Sequence, residues 1–291
     1  MLGIFDSGFG GLTVLRHVRT ALPRHDVVYF GDSGRTPYGG RDVHTILDFA
    51  EQATERLFEE GCNVVVVACH TVSCVALRHL QKRYAGPGSD KRVLGVTIPA
   101  AEAAMAVTRG HVGLLATAAT VRSDTYKAEL AKLGGVRLSA RAAPVLPPIV
   151  EEGWECSDTA RAAVRAYLAD LPGIDTLVLG CTHFPLLAEV IEDEVADGVH
   201  VLDPGPFVAA RLADWFQRHP DFDPGEGSGA LRVLCSGDPA RFAAHGVRFL
   251  GEPLPVVHHV AEVDGRLAHR DPSEAPVGQV VRKGARRGVS E

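Results

Sequence analysis

Two cysteines occupy matching places 112 positions apart, and that repeat constrains the fold more than any other feature of the chain. Cys69 closes the run Val64-Val65-Val66-Val67-Ala68, and Cys181 closes Thr176-Leu177-Val178-Leu179-Gly180. Short apolar runs bounded by small residues read as buried strands. The following residues, His70-Thr71-Val72-Ser73 and Thr182-His183, place both thiols where a parallel strand hands over to a helix, the edge at which open α/β sheets hold ligands. A second pair repeats at an offset of 110, Gly3-Ile4-Phe5-Asp6-Ser7-Gly8 against Gly113-Leu114-Leu115-Ala116-Thr117-Ala118. Two copies of so large a unit give a pseudo-symmetric two-domain body rather than a solenoid, whose units are much shorter. With the halves facing each other, Cys69 and Cys181 stand on opposite walls of one cleft. Two such thiols suit a reaction in which a proton leaves one face of a carbon and another returns on the opposite face.

Further strands are predicted at Leu2 to Phe5, Val27 to Phe30, Val93 to Thr97, Val112 to Ala116, Val136 to Ala142, Val199 to Leu202 and Leu231 to Cys235. Stretches with helical period lie between most of them. The clearest runs from Val43 to Glu60, with Ile46, Leu47, Ala50, Ala53, Leu57 and Phe58 on one face and Asp42 as its cap. This alternation predicts an α/β protein: two pseudo-symmetric domains with mainly parallel sheets and the active site in the cleft between them. The breaks at Ala85 to Asp90 and Pro220 to Gly229 lead to a discontinuous division. Residues 1–95 and 206–262 form one domain, 96–205 the other, and 263–291 a disordered tail rich in Gly, Arg and Ser.

At 291 residues and 46% hydrophobic content the chain can bury two cores. A net charge of −6 with interspersed signs excludes the basic face of a nucleic-acid binder. No apolar run nears the roughly 20 residues that span a bilayer. Six cysteines without a charged and apolar leader point to a reduced, cytoplasmic setting, with no membrane and no nucleic acid as partners. A homodimer is the expected assembly.

Both thiols precede predicted helices, whose N-termini lower a cysteine pKa from about 8.5 toward roughly 3.5 to 7.5. The competing view of each is a small buried apolar residue, and the repeat favours the chemical one. A zinc site from Cys69, His70, Cys74, Cys181 and His183 lacks C-x-x-C spacing, so no metal and no other cofactor is expected. His183 lies close enough to Cys181 to hold or receive its proton, or else it only opens the turn before Pro185. Asp6 should neighbour Cys69 through the sheet, or form an Asx turn onto Gly8. The turn Asp6-Ser7-Gly8-Phe9-Gly10-Gly11 matches no nucleotide motif, but its backbone N–H groups suit one carboxylate. Pro37-Tyr38-Gly39-Gly40 is a turn by composition, either one whose Tyr38 closes over a ligand or a plain surface turn.

Together, Ile4-Phe5-Asp6-Ser7-Gly8-Phe9-Gly10-Gly11, Tyr29-Phe30-Gly31-Asp32, Pro37-Tyr38-Gly39, Ala68-Cys69-His70-Thr71 and Leu179-Gly180-Cys181-Thr182-His183-Phe184-Pro185 resemble the glutamate racemases of the cofactor-independent aspartate/glutamate racemase superfamily. Weaker echoes are Thr117 to Thr120 with Ser123 and Tyr126, Pro148-Ile149-Val150-Glu151 and Ser236-Gly237-Asp238-Pro239. The resemblance implies two α/β domains and a cysteine from each acting on glutamate, one thiolate removing the Cα proton while the opposite thiol donates another. It makes Cys69 and Cys181 the acid/base pair, assisted by Asp6 and His183, with Glu151 supporting the histidine. Ser7, Pro37, Tyr38, Gly39, His70, Thr71, Thr117, Thr120 and Thr182 match substrate-contacting positions. The implied role is supply of D-glutamate for peptidoglycan. His70 departs from the family's usual asparagine, and its ring is expected either to replace the amide as a donor, gaining charge in acid, or to turn outward onto the following helix. With no segment ahead of the first strand, an activator that works through an N-terminal extension is not expected. The rival readings are a racemase or isomerase of another small amino or dicarboxylic acid, a non-catalytic dicarboxylate-binding protein, and an inhibitor of another enzyme, as some members are of DNA gyrase.

Overall fold

The computed structural model describes residues 1–269. In chain order the elements are β1 (Leu2–Asp6), α1 (Leu12–Ala21), β2 (Val27–Gly31), α2 (Val43–Glu59), β3 (Val64–Val67), α3 (His70–Val75), α4 (Leu77–Tyr84), β4 (Arg92–Gly95), α5 (Thr97–Val107), β5 (His111–Ala116), α6 (Ala118–Arg122) and α7 (Thr125–Lys132). They continue with β6 (Arg137–Ala142), α8 (Leu146–Glu151), α9 (Asp158–Leu168), β7 (Thr176–Gly180), α10 (Ala188–Glu194), β8 (His200–Leu202), α11 (Gly205–Arg218), β9 (Leu231–Cys235), α12 (Pro239–Leu250), β10 (Val257–His259), β11 (Glu262–Val263) and β12 (Arg266–Leu267).

Two parallel sheets result, ordered β10-β9-β2-β1-β3-β4 and β6-β5-β7-β8. The repeat is visible in both order and register. Strands β2-β1-β3-β4 reappear as β6-β5-β7-β8, Leu2 opposes Val64 as Val112 opposes Thr176, and Phe5 opposes Val67 as Leu115 opposes Leu179. Cys69 and Cys181 therefore leave their sheets at equivalent points. No helix among the described residues is long and apolar enough to cross a membrane.

The period-2 alternation of strand side chains sorts the core into three layers. Leu2, Ile4 and Tyr29 of the first sheet share one apolar cluster with Leu115, Leu177 and Leu179 of the second, so the two sheets are packed through a common layer. Phe5, Val28, Phe30, Val65 and Val67 face the opposite way onto α2. Val112, Leu114, Ala116 and Val178 do the same against α5 and α7. Asp42 caps α2 by accepting from the Thr45 N–H.

Some expectations change. The fourth predicted strand stops at Gly95, because Thr97 already opens α5. Residues 263–269 of the expected tail are ordered: β11 and β12 form an antiparallel hairpin on α2, with Leu267 buried and its N–H donating to Gln52 Oε1 at 2.9 Å. The rest of that segment lies outside the described residues. Strand β10, too short to read beside its flanking loops, adds an edge next to β9.

Gln52 Oε1 also accepts from Arg35 Nη1 at 2.8 Å, and Arg35 holds the buried Asp32 through Nε at 2.8 and 3.0 Å. Gln52→Ala leaves both donors without that acceptor, and an unmade buried hydrogen bond costs about 1–3 kcal/mol. The urea midpoint should drop accordingly with the slope unchanged; an unaltered midpoint would show that the hairpin contributes nothing to this network.

Candidate active site

The carboxyl ends of β1, β3, β5 and β7 converge on a cavity of about 230 Å3 lined from both sheets, with Cys69 and Cys181 both in its wall. That is smaller than the roughly 300–1,000 Å3 of drug-sized sites, so its occupant is a small molecule. Among the described residues no lysine or arginine lines it; the polar wall is Ser7, Thr36, Tyr38, His70, Thr71, Thr117, Thr182 and His183 with one carboxylate, Glu151. A larger hollow of about 470 Å3, bordered by Arg109, Gly173 and Gly198, sits at the amino ends of the second sheet, away from both thiols.

Cys69 caps α3 and receives a contact from the Ser7 hydroxyl at 3.4 Å. The expected depression of its pKa is not found. Burial pushes the thiol up to about 12, the Asp6 charge adds to the rise, and the Ser7 hydroxyl and Val72 N–H only partly oppose it. Desolvation of a fully enclosed sulfur outweighs one helix of six residues. Cys69 thus rests as a thiol.

Cys181 is paired differently. Its Sγ lies 3.7 Å from His183 Nδ1, and His183 Nε2 lies 3.0 Å from Glu151 Oε1. Burial alone would lower the His183 pKa, but the bonds to Cys181 and Glu151 raise it to about 10, so the ring is an imidazolium at neutral pH. Glu151, despite a burial cost, is held below the usual carboxylate range by that ring. His183 is therefore more than a turn opener before Pro185. Its ring meets Phe249 edge-on at 5.4 Å. The adjacent Arg248 donates to Val150 O and the Glu155 carboxylate at 2.7 Å, tying α12 to the end of α8 that carries Glu151.

Asp6 does not line the cavity. It is fully buried behind the thiols, where Gly8 N–H donates to Oδ2 at 2.9 Å and Thr182 Oγ1 to Oδ1 at 3.4 Å. Burial raises its carboxyl above the ordinary range, against the His183 charge and the Gly8 and Gly11 N–H groups. The carboxylate bound by this glycine-rich turn is thus the chain's own, a correction to the expectation of a ligand there. Gly10 is glycine for a related reason: a Cβ would lie 2.2 Å from Thr182 Oγ1 and 2.8 Å from His183 Nδ1.

Pro37, Tyr38 and Gly39 line the cavity as expected, but Tyr38 is no mobile lid. Its ring is buried and its hydroxyl donates to Asp32, which also accepts from Ser236 at 2.6 Å. Thr71 and Thr117 hydroxyls meet at 2.8 Å across the two halves. Thr120, matched to a substrate contact, stands one layer back and accepts from Thr117 Oγ1 at 3.0 Å. His70 is buried in the wall rather than turned onto its helix, and burial lowers its pKa to about 4 against the opposing pull of Asp203. The ring is neutral near pH 7, and the charge expected in acid is moved to lower pH. Pro144, Pro147 and Pro148 form an apolar wall, for which the proline cluster just before Glu151 is the signal in the sequence.

The raised His183 pKa has a direct test. Its ring nitrogens should stay protonated in 15N spectra to well above pH 8, and Glu151→Gln should bring the midpoint down. The folded value exceeds the ordinary 6.5, so the protonated ring stabilises the fold fully below pH 6.5 and this contribution is lost as pH rises through about 10. Glu151→Gln should therefore flatten the fall of melting temperature between pH 7 and 10. A ring that titrates near 6.5 in the native protein would refute the pairing.

A family model described as Asp/Glu/Hydantoin racemase matches residues 13–212, a span that contains both thiols. The chain is 39% identical over 264 residues to a glutamate racemase of Geobacter metallireducens, covering 89% of this chain and 96% of that protein. The crystal structure of glutamate racemase from Thermus thermophilus in complex with beta-chloro-D-alanine superimposes with a TM-score of 0.79 at 38% identity, over 89% of this chain and 96% of that one. That of glutamate racemase from Francisella tularensis in complex with D-glutamate gives 0.81 at 26% identity, over 89% and 96%. By family model, identity and fold alike, the chain belongs to the Asp/Glu racemase family and is an isomerase of its glutamate racemase branch.

Proposed function

We propose that the cavity interconverts L- and D-glutamate by proton transfer between Cys69 and Cys181, without a cofactor, and that the D-glutamate produced serves peptidoglycan synthesis. The observation that carries this reading is the presence of two buried thiols, delivered by equivalent strand ends, in the wall of one small cavity. One base cannot return a proton to the face opposite the one it deprotonates, so inversion at Cα calls for two groups on opposite sides. As a thiolate, one cysteine takes the Cα proton while the other, as a thiol, gives its own to the other face. The roles then exchange for the enantiomer.

The two sulfurs have unlike surroundings. Cys69, held as a thiol, is the acid at rest. Cys181 has the His183 imidazolium 3.7 Å away as counter-ion for a thiolate, with Glu151 keeping that ring charged. Asp6 and Ser7 stand beside Cys69 to accept or relay its proton when the roles reverse. Threonine hydroxyls, His70 and backbone groups, rather than guanidinium or ammonium groups, meet the substrate carboxylates. Residues 1–95 with 206–262 and 96–205 form the two domains that bring these walls together, and the working form is a cytoplasmic homodimer.

L-Glutamate incubated with the protein alone should lose its circular dichroism; a flat trace over hours would reject the reading. Cys69→Ser and Cys181→Ser should each cut kcat/KM by about 10²–10⁴-fold, the range for a lost acid/base group. The loss must be equal in both directions, because enantiomers have equal free energy and the equilibrium constant is one. Solvent deuterium should enter Cα in the wild type. Two near-normal single variants would eliminate the two-thiol scheme. Activity should also survive exhaustive chelation, and zinc-restored activity after its loss would overturn the cofactor-free scheme.

A further inference from the structure

His70 Nδ1 lies 2.8 Å from the Tyr126 hydroxyl, and the two rings stack with planes 14° apart. His70 comes from the start of α3 and Tyr126 from α7, so the contact joins the two halves beside Cys69. Tyr126 is buried, and its hydroxyl makes no other hydrogen bond among the described residues. A neutral imidazole carries its proton on one nitrogen only, and a phenol both donates and accepts. If Nδ1 carried the proton, the phenolic hydrogen would be enclosed with nothing to receive it, the costlier outcome for a buried donor. The favoured arrangement is Tyr126 O–H donating to a bare Nδ1, which puts the imidazole proton on Nε2.

Nε2 has no hydrogen-bond partner among the described residues, yet it is not one of the fully enclosed side-chain atoms lacking one. His70 is only 3% exposed, and the open space it lines is the cavity. We infer that Tyr126 is a positioning residue that locks His70 in the Nε2–H tautomer, so that the ring offers a fixed, uncharged donor to an oxygen of the dicarboxylate substrate. Burial of the ring, which disfavours its charged form, agrees with this. The arrangement accounts for a histidine at this place: an asparagine amide brings its own N–H, whereas an imidazole needs a second residue to decide which nitrogen bears the proton. The tautomer follows from the pair itself. Its use toward substrate rests on the function proposed above.

Long-range 1H–15N correlation on histidine-labelled, ligand-free protein should show His70 with a protonated Nε2 and an imine-like Nδ1. Tyr126→Phe should erase that preference and raise KM for glutamate about tenfold, the order of one neutral hydrogen bond, with kcat changed much less. In a His70→Asn background the same Tyr126→Phe change should move KM less than about twofold. A proton on Nδ1 in the native protein overturns the proposal. So does an equal KM increase in both backgrounds, which would make Tyr126 a mere packing residue. The tautomer is read without substrate, so a correct tautomer in a protein that fails to racemise glutamate would sink the proposed function and not the lock.

Discussion

The site depends on the close approach of the Gly10–Gly11 turn to the Cys181-Thr182-His183 segment. Thr13 Oγ1 donates to Thr182 O at 3.0 Å, and the space where a Cβ of Gly10 would sit is filled by Thr182 and His183. Gly11 is similarly pressed against Asp6, whose Cβ would be 2.4 Å away. Only a turn without side chains lets the first sheet's loop reach the second sheet's cysteine. Around this contact lies the shared apolar layer, in which Phe9, Phe249 and Phe184 are buried with residues of both sheets. Directional contacts set the geometry, and the burial of that layer supplies the driving force.

Charge is distributed unevenly across the cleft for reasons of burial. On the Cys181 side the cost of enclosing an imidazolium is offset by Glu151, and Arg248 keeps the carboxylate's helix in place from α12. On the Cys69 side burial works against ionisation and the Asp6 charge adds to it, so the sulfur keeps its proton. A pseudo-symmetric scaffold thus gives its two thiols unlike surroundings. The walls between are tied together: Asp32 anchors Tyr38 and is itself held by Arg35 and Ser236, and the Arg35 link reaches through Gln52 to the C-terminal hairpin. Among the described residues the charged groups of the lining are His183 and Glu151, which pair with each other.

Most of the architecture was legible in the chain. Strand runs such as Val64 to Val67 and Thr176 to Gly180 are apolar on both faces because helices cover both sides of a parallel sheet, and their equivalence survives as identical register. Cys69, Cys181 and His183 could be named because reactive residues at strand ends fall at one sheet edge, whereas Ser7 and Thr182 followed from the family resemblance alone. Strand β10 and the hairpin β11–β12 were not legible, because two- and three-residue strands take their stability from the neighbour they pair with or pack on and leave no period in the sequence.

The sequence by itself determined the two-copy α/β plan and the identity of the thiols, since local pattern and spacing encode strand ends. Only the tertiary structure decided what state those groups adopt. Whether the N–H groups of the glycine-rich turn meet a ligand or Asp6 itself, whether Cys69 is thiol or thiolate, and which partner holds the His70 ring are settled by residues 2 to 63 positions away in sequence. Protonation follows desolvation and neighbouring charge, and both are properties of the packed interior rather than of any segment of chain.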